Sequence, residues 1–542
     1  MKRIGSLVLP LLLFLLATAV YRADFLEALR RRFTQAPPEI ALVYPTQGTI
    51  PPQAGFLRFN ICQMKTPRGK NPYGDYLLQI SLTDPKGNFH QETLEWDGHE
   101  ARFPLPPMPP GRATLTAMLL EREKEDQGPL QTLQQQLLIL PQDYAPPPGT
   151  TTIDSLGRTL VDGTPFLPIG LFLSHFHDEN DLELLLDSDF NCFMPYHSPG
   201  LRSPGDPTRA LSPLEGAREI LDALQPHGKK LIYSLKGLHD IPCTLEEGRN
   251  FQRVFGGEDL TETTRRIVTA LREHPALLAW YINDEVPLED LKAVEERRLQ
   301  VNQLDPRHPT WGVLCDYAEA PFFATAQDVM GVDPYPIMRK SPSDQKRCVE
   351  AMDAVERSGQ PCWSVPQIFT YGIYKARKDP EVYHRFLVPT LEQERGLILY
   401  QAIRGAKGFI LYSFADLKRP YQEEYLKPFG ETREDFLRRW EETKTLATLL
   451  KEIAPWLLSD TPLQLLPLET EDGEAAAALF HDAQGTPMVL LANIGPEDPQ
   501  GTLFLPPGLP PMKARFGHAV ETTPGTWRFS GEDIWGELLT PL

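Results

Sequence analysis

Residues 277–287 read LLAWYINDEVP, an apolar run that ends in polar side chains and a proline. A short apolar run between helical segments is typical of a buried strand in a parallel sheet. Eight runs of this kind alternate with helical segments, at residues 166–172, 191–195, 230–235, 277–283, 310–314, 329–332, 361–366 and 408–412. Eight strands over about 300 residues predict an α/β fold, a (β/α)8 TIM barrel.

Two helices of this region carry clear start signals. Ser212 and Glu215 have the spacing of a capping box, and Pro213 occupies the first helical position. Thr390 and Gln393 have the same spacing. These signals support the alternation of strands and helices.

Shorter strands and turns flank the barrel. Residues 39–142 predict an N-terminal β-sandwich domain, and residues 145–149, APPPG, predict a stiff linker. The barrel, as the catalytic domain, is expected at residues 152–459. A small C-terminal β-domain is expected at residues 461–542, where PMVLLAN at 487–493 is the clearest strand.

The first nineteen residues predict a signal peptide. Lys2 and Arg3 precede an apolar run at residues 4–20, and Ala17-Thr18-Ala19 has the small-x-small pattern of a cleavage site. We therefore expect a secreted, periplasmic or cell-surface protein. The alternative is an uncleaved signal anchor, because the run is close to the length that spans a bilayer. A membrane is expected as a partner only in that case.

The charge balance excludes one class of partner. The chain has 54 Lys and Arg against 73 Asp and Glu, a net charge of −19. Nucleic-acid binding needs cations that neutralise phosphates, so no nucleic-acid partner is expected. The six cysteines form no C-x-x-C pair, and the chain has no P-loop or dinucleotide fingerprint. We expect neither a structural metal nor a cofactor.

Polar and aromatic side chains follow several of the predicted strands. The active site of a (β/α)8 barrel lies at the carboxyl ends of its strands. The side chains there that we expect to bind substrate are Trp280, Asn283, Asp284, Tyr335, Trp363, Gln367, Tyr412 and Asp416. Aromatic faces stack on the C–H face of a sugar and polar groups bind its hydroxyls, so this set predicts a carbohydrate ligand.

Three segments resemble a known superfamily. They are DSLGRTLVDGTPFLPIG at 154–170, Asn283-Asp284-Glu285 after strand four, and GAKGFILY at 405–412. They resemble the retaining (β/α)8-barrel glycoside hydrolases, the superfamily of β-galactosidases, β-glucuronidases and β-mannosidases. The resemblance covers most of the mature chain through short motifs.

The resemblance implies that Glu285 is the general acid/base. The alternative is that Glu285 caps the helix beginning near Leu288, because glutamate is favourable at a helix start. The chain also departs from the superfamily pattern. Asp284 stands where asparagine usually precedes the acid/base, and Gln367 stands where the nucleophile glutamate is expected. A neutral amide cannot form a glycosyl-enzyme intermediate.

Other carboxylates are candidates to replace the missing nucleophile. Asp333 is our second predicted catalytic residue, although it could instead form a turn with Pro334. Asp416 lies on the same rim. Asp284 is a third candidate, but along an extended strand it should point away from Glu285. Gln367 is then expected to hydrogen-bond a sugar hydroxyl.

Two histidines are further candidate substrate contacts. His175 follows strand one and His239 follows strand three, and ordinary loop contacts are the alternative for both. His175 and His177 form an H-x-H pair, but no second imidazole pair follows, so we expect no metal site. The sequence thus predicts a secreted glycoside hydrolase acting on a polysaccharide or glycoconjugate. The alternative is a catalytically inactive barrel that binds carbohydrate.

Overall fold

The computed structural model describes residues 38–62, 72–98, 100–174, 179–198, 212–339, 342–429, 431–470, 474–495 and 500–542. The predicted signal peptide lies outside these ranges. Within them, no helix has both the length and the apolar composition needed to cross a membrane.

The N-terminal region contains two β-sheets. Its strands are β1 Glu39–Tyr44, β2 Thr49–Ile50, β3 Phe56–Cys62, β4 Tyr76–Thr83, β5 Phe89–Leu94, β6 Glu100–Pro104, β7 Gly111–Glu121 and β8 Gln131–Ile139. One sheet has the order β1-β3-β6 and the other β2-β8-β7-β4-β5. The alternate buried residues of β4 and β7 join Leu57 and Phe59 of β3 in one apolar cluster, so the two sheets share a core.

A small antiparallel sheet leads into the central region. It contains β9 Thr151–Ile153, β10 Thr159–Val161 and β11 Thr164–Phe166. The strands that follow are β12 Ile169–Leu173, β13 Cys192–Pro195, β14 Lys230–Ser234, β15 Leu277–Asp284, β16 Thr310–Leu314, β17 Val329–Val332 and β18 Phe409–Leu411.

These seven strands form one curled parallel sheet in the order β17-β16-β15-β14-β13-β12-β18. Seven of the eight predicted strands of this region are therefore confirmed. Their burial is nearly continuous, as expected for a parallel sheet covered on both faces.

Residues 361–366, the remaining predicted strand, form isolated bridges instead of a regular strand. Cys362 bridges to Met330 of β17, and Ser364 bridges to Phe409 of β18. Pro361 and Pro366 have no N–H to donate, which interrupts the ladder at both ends. Their carbonyl groups still accept from Met330 at 2.9 Å and from Tyr412 at 3.0 Å. The segment thus hydrogen-bonds to both edge strands of the sheet.

Helices separate most of the parallel strands. They are α1 Glu179–Leu186, α2 Pro213–Leu224, α3 Leu245–Phe255, α4 Leu260–Leu271, α5 Leu291–Leu304, α6 Pro342–Ser358, α7 Gly372–Lys375, α8 Leu391–Ile403, α9 Phe414–Gln422 and α10 Arg433–Leu457. The predicted capping boxes are confirmed: Ser212 and Glu215 cap α2, and Thr390 and Gln393 cap α8.

The inner face of the parallel sheet is filled with large side chains. Trp311, Trp363 and Tyr281 are fully buried there. Their bulk requires glycine on neighbouring strands. A Cβ on Gly331 would lie 2.7 Å from the Trp311 indole nitrogen, and one on Gly408 would lie 2.6 Å from the Trp363 ring. The sheet therefore encloses a packed core.

The C-terminal region forms two further antiparallel sheets. Its strands are β19 Gln464–Leu465, β20 Leu468–Thr470, β21 Ala475–His481, β22 Pro487–Asn493, β23 Gln500–Phe504, β24 Met512–Ala514, β25 Ala519–Thr523, β26 Thr526–Ser530 and β27 Trp535–Pro541. The sheet orders are β19-β21-β22-β27-β24 and β20-β23-β26-β25. Helix α8 packs against β27, where a Cβ on Gly396 would lie 2.8 Å from the Trp535 backbone.

A buried ion pair links the N-terminal region to the parallel sheet. Asp328, before β17, accepts from Arg298 of α5 at 2.8 and 3.0 Å and from the Thr310 backbone at 2.8 Å. The same guanidinium donates to the Thr46 carbonyl at 2.6 Å. Asp328 is fully buried and Arg298 is 7% exposed. The buried charge of Asp328 is therefore balanced by that of Arg298.

We expect Arg298→Leu to lower the free energy of unfolding by about 3–5 kcal/mol, because Asp328 would remain buried without its counter-charge. Urea denaturation measures this change. Lys292→Ala is the control: Lys292 lies on the same helix and pairs with Glu296 at 3.9 Å in solvent. That variant should change stability by less than about 1 kcal/mol. If both variants lowered the free energy of unfolding by similar amounts, the buried Arg298–Asp328 pair would contribute no more than the exposed pair.

Candidate active site

A cavity of about 320 Å³ lies at the carboxyl ends of the parallel strands. Six strand ends and the loop after residue 368 form its walls. These segments come from separate parts of the sequence, between residues 172 and 412. The lining residues are Phe172, Tyr196, Tyr281, Asp284, Glu285, Val313, Asp333, Tyr335, Phe369, Tyr371, Tyr374 and Tyr412. The cavity thus combines three carboxyl groups with eight aromatic rings.

The aromatic rings contact one another around the cavity. Tyr335 and Phe369 pack edge to face with centroids 5.0 Å apart, and Phe172 lies 5.1 Å from Tyr412. These contacts hold the rings in fixed orientations. The wall therefore offers rigid apolar faces between hydroxyl groups, which suits a ligand with both C–H faces and hydroxyls.

Glu285 leaves the end of β15 in an unusual backbone conformation. Its φ is +55°, in the left-handed region, and its N–H donates to the Val313 carbonyl at 2.8 Å. Successive side chains of a regular strand point to opposite faces, but this residue breaks that alternation. Asp284 and Glu285 therefore both line the cavity, and the expectation that Asp284 points away from Glu285 is wrong.

The carboxyl groups of Glu285 and Asp333 share a hydrogen bond. Asp333 is 4% exposed. Burial, together with the charge and hydrogen bond of Glu285 and the charge of Asp284, raises the pKa of Asp333 well above its ordinary value, although Arg347 opposes the shift. Two contacting carboxylates cannot both be ionised cheaply, so the pair retains a proton.

Cys315 supports the same carboxyl pair. Its thiol makes a side-chain hydrogen bond with Glu285. Burial, followed by the charges of Glu285 and Asp333, raises the pKa of the thiol to about 12. Cys315 thus keeps its proton at neutral pH and donates a hydrogen bond to Glu285.

Asp284 has a different set of partners. It accepts from the hydroxyls of Tyr196 and, at 2.5 Å, Tyr281. The Lys236 ammonium lies 3.4 Å from Asp284 and 3.2 Å from Glu247. Burial and then the Asp284 charge raise the pKa of both tyrosines, so the hydroxyls stay protonated donors. Three donors therefore fix the orientation of the Asp284 carboxyl group.

Asp416 contacts this site only through a tyrosine. It accepts from the Tyr374 hydroxyl at 2.5 Å and pairs with Arg419 at 3.1 Å. Tyr374 also lies 3.2 Å from the Tyr412 hydroxyl, and both tyrosines line the cavity. Asp416 itself lines a neighbouring cavity of about 430 Å³. The structure thus places it behind the tyrosines.

Gln367 is fully buried, and its amide is used by the backbone. Its oxygen accepts from the Ile337 N–H at 2.9 Å, and its nitrogen donates to the carbonyls of Ile337 at 2.7 Å and Phe369 at 2.9 Å. It does not line the cavity. These bonds tie the loop after β17 to the segment after residue 366.

Three more predicted substrate contacts lie in the protein interior. Trp280 donates to Asp305 at 2.8 Å, and Trp363 donates to Thr159 at 3.0 Å. Asn283 is fully buried and donates to Gln327 at 3.3 Å. None of the three lines the cavity. Large apolar side chains at strand ends fill the sheet interior as readily as they face a ligand.

His239, one of the two predicted histidine contacts, does not line this cavity. His239 lies 2.6 Å from the Ile282 carbonyl, and burial lowers its pKa to about 4, so it is neutral at pH 7. It lines a separate cavity of about 710 Å³ beside α3 and α5. His175 lies outside the described residues. Among the residues the structure describes, no cluster of three or more His, Cys, Asp or Glu side chains could hold a metal ion.

Of the predicted site residues, the structure brings together Asp284, Glu285, Asp333, Tyr335 and Tyr412. The sequence analysis missed six aromatic residues of the cavity and two residues that contact its carboxyl groups. They are Tyr196, Tyr281, Tyr371, Tyr374, Phe172 and Phe369, and then Lys236 and Cys315. A signal was available for some of them. Tyr196 directly follows a predicted strand, and Cys315 follows another. Counting every side chain just beyond a strand end would have included both.

No protein-family model matches the chain, and no curated protein matches it in sequence. Among solved structures, it is similar to a glycoside hydrolase family 5 protein from Bacteroides vulgatus ATCC 8482. The identity is 10% and the TM-score 0.49, over 73% of this chain and 95% of that one. A second glycoside hydrolase has 10% identity and a TM-score of 0.48, over 73% of this chain and 99% of that one.

A GH2 β-galacturonidase from Eisenbergiella tayi, bound to galacturonate, is a third similar structure. Its identity is 14% and its TM-score 0.37, over 77% of this chain and 72% of that one. All three proteins are glycosidases. Similarity at this level assigns neither a family nor a substrate to the chain, so the chemistry of the cavity rests on its own residues.

The raised pKa of Asp333 predicts a pH-dependent effect of Asp333→Asn on stability. Above about pH 4 the unfolded chain releases this proton while the folded protein keeps it, so the wild type loses stability as the pH rises. The variant has no such loss. We therefore expect its stability relative to wild type to increase between about pH 4 and pH 7 in urea denaturation. Glu289→Gln, at an exposed position, is the control. A constant or decreasing difference would contradict the raised pKa.

Proposed function

We propose that the protein is a glycoside hydrolase that cleaves O-glycosidic bonds in a polysaccharide or glycoconjugate, with Glu285 as general acid/base. One observation carries the proposal: the hydrogen-bonded carboxyls of Glu285 and Asp333 both line a cavity that is rich in tyrosine. Cleavage of a glycosidic bond needs a carboxylic acid that is protonated at neutral pH, and a contacting buried pair supplies one.

The pair acts as one proton-holding unit. Asp333 is buried and keeps a proton in the pair, while Glu285 is exposed to the cavity. Glu285 delivers that proton to the leaving oxygen. Asp333 and the Cys315 thiol orient the Glu285 carboxyl group. After the aglycone departs, the ionised pair accepts a proton from the incoming water.

The rest of the cavity suits a sugar ring. Its volume of about 320 Å³ is at the small end of ligand sites, as expected for one terminal sugar unit. The rings of Tyr335, Phe369 and Tyr412 provide stacking faces. The hydroxyl of Tyr371 and the carboxylate of Asp284 provide polar contacts for ring substituents.

We also propose the complete architecture as a (β/α)8 barrel at residues 152–459, between an N-terminal β-sandwich at 39–142 and a C-terminal β-domain at 461–542. The bonds from residues 361–368 to both β17 and β18 support closure of the barrel. The apolar core shared by the two N-terminal sheets supports the sandwich.

We expect Glu285→Gln to lose about 10²–10⁴-fold in hydrolysis rate, because glutamine cannot donate the proton. A panel of chromogenic glycosides and polysaccharides, tested with wild type and variant, measures this. Glu289→Gln, an exposed glutamate outside the cavity, should retain wild-type activity. Equal activity of Glu285→Gln and wild type would contradict the assigned acid.

Gln367, at the expected nucleophile position, binds backbone groups with its amide and offers no carboxylate. This favours a second candidate function, a barrel that binds carbohydrate without cleaving it. The same panel distinguishes the two. Binding of a glycan by calorimetry, with no turnover of any glycoside by wild type, would favour this alternative.

We propose that residues 1–19 are a signal peptide that directs the chain out of the cytoplasm. The charged start, the apolar run and Ala17-Thr18-Ala19 support this. N-terminal sequencing of the full-length chain expressed in a secreting host should find Val20 as the first residue. A chain that still begins at Met1 and sediments with membranes would favour the uncleaved anchor.

A further inference from the structure

The cavity supplies an acid but leaves the attacking group unassigned. In a two-carboxylate retaining enzyme the nucleophile lies about 5–5.5 Å from the acid, with the sugar carbon between them. Glu285 and Asp333 interact directly through a side-chain hydrogen bond, which is closer than the spacing of an acid and a nucleophile with a sugar carbon between them. Gln367, at the expected nucleophile position, is buried and bonded to backbone on both sides.

Asp284 is the remaining carboxylate of the cavity, and its neighbours fix its orientation. Its side chain is 22% exposed, and it contacts Tyr196, Tyr281 and Lys236. Because its neighbour Glu285 has left-handed backbone, the two side chains enter the same cavity. An anion fixed beside the acid can accept a hydrogen bond from a substituent next to the sugar carbon under attack.

An apolar surface lies next to this anion. Val313 pairs with Asp284 in the register of β15 and β16, and Phe172 lies 6.1 Å from the Tyr281 ring. Both side chains line the cavity. A substituent that places an N–H on Asp284 and a methyl group against Val313 and Phe172 would satisfy both surfaces.

We propose that the substrate is a 2-acetamido-2-deoxy-β-hexoside and that its own acetamido group is the nucleophile, oriented by Asp284. This inference rests on the proposed glycosidase function and names its substrate class. The carbonyl oxygen of the acetamido group attacks the anomeric carbon. Asp284 accepts a hydrogen bond from the acetamido N–H, which stabilises the positive charge that develops on the amide.

The step balances without any further reactant. A bond forms between the acyl oxygen and the anomeric carbon as the bond to the leaving oxygen breaks, and the leaving oxygen takes the proton of Glu285. The product is a cyclic oxazolinium whose N–H remains on Asp284. Water then adds to the anomeric carbon and gives a proton to Glu285, and the acyl oxygen leaves to restore the acetamido group. Two displacements retain the anomeric configuration.

Wild-type protein tests the substrate class directly. The probes are 4-nitrophenyl 2-acetamido-2-deoxy-β-glucoside and β-galactoside, each compared with its 2-hydroxy counterpart. At least one acetamido substrate should be cleaved faster than its counterpart by about 10²-fold or more, the scale of a lost preorganised interaction. Cleavage of 2-hydroxy glycosides at equal or higher rates would overturn this inference and leave the glycosidase proposal standing. Failure to cleave any glycoside of a broad panel would overturn both.

A substituent series then tests the nucleophile. Replacing the hydrogens of the acetyl methyl by one, two and three fluorines makes the carbonyl oxygen a weaker nucleophile. Under the proposal, kcat falls with each added fluorine. A rate that does not respond to fluorination would show that the acetamido group does not attack.

Asp284→Asn, nearly isosteric, tests the orienting anion. We expect kcat on the acetamido substrate to fall by about 10²–10³-fold, with weaker inhibition by a thiazoline analogue of the cyclic intermediate. Glu289→Gln is the matched control and should match wild type in both measurements. Thermal unfolding of Asp284→Asn separates misfolding from lost chemistry. A folded variant with unchanged kcat and unchanged thiazoline inhibition would overturn the role of Asp284.

Discussion

The hydrogen bonds of residues 361–368 to both edge strands of the parallel sheet are the constraint on which the site depends. Trp363 and Val365 donate to β17, and Ile410 of β18 donates to Ser364. These bonds place the loop after residue 368 next to the loop after β17. Phe369, Tyr371 and Tyr374 thereby reach the same cavity as Asp333.

Gln367 adds a second connection at the same place. Its amide binds the backbone of Ile337 on one side and of Phe369 on the other. A buried amide that satisfies three backbone groups stabilises two loops at once, because unpaired backbone groups are costly to bury. The residue at the expected nucleophile position thus has a structural role in the geometry of the cavity.

The carboxyl groups of Asp333 and Asp284 have different partners in the cavity. Asp333 has burial and a neighbouring carboxyl, which favour its neutral form. Asp284 accepts hydrogen bonds from two phenolic hydroxyls and lies beside an ammonium, which fix the orientation of its carboxyl group. A protonated carboxyl pair and an oriented carboxyl group therefore lie in one small volume, which is the arrangement on which the proposed acid/base chemistry depends.

The sequence predicted the elements better than the directions of their side chains. Seven strands and both capping boxes follow from local patterns, since apolar runs and cap spacing act over a few residues. The position of Glu285 at the end of β15 follows from the same reasoning. The backbone turn at Glu285 and the burial of Asn283, Trp280 and Trp363 do not, because they depend on neighbouring strands.

The sequence by itself determined the alternation of strands and helices, the negative net charge and the set of side chains at the strand ends. These features depend on local periodicity and on composition. Only the tertiary structure decided which of those side chains meet. Asp333 contacts Glu285, and Tyr196 contacts Asp284, across separations of 48 and 88 residues. The physical reason is that curling of a parallel sheet brings distant strand ends together, and burial there sets which groups keep a proton.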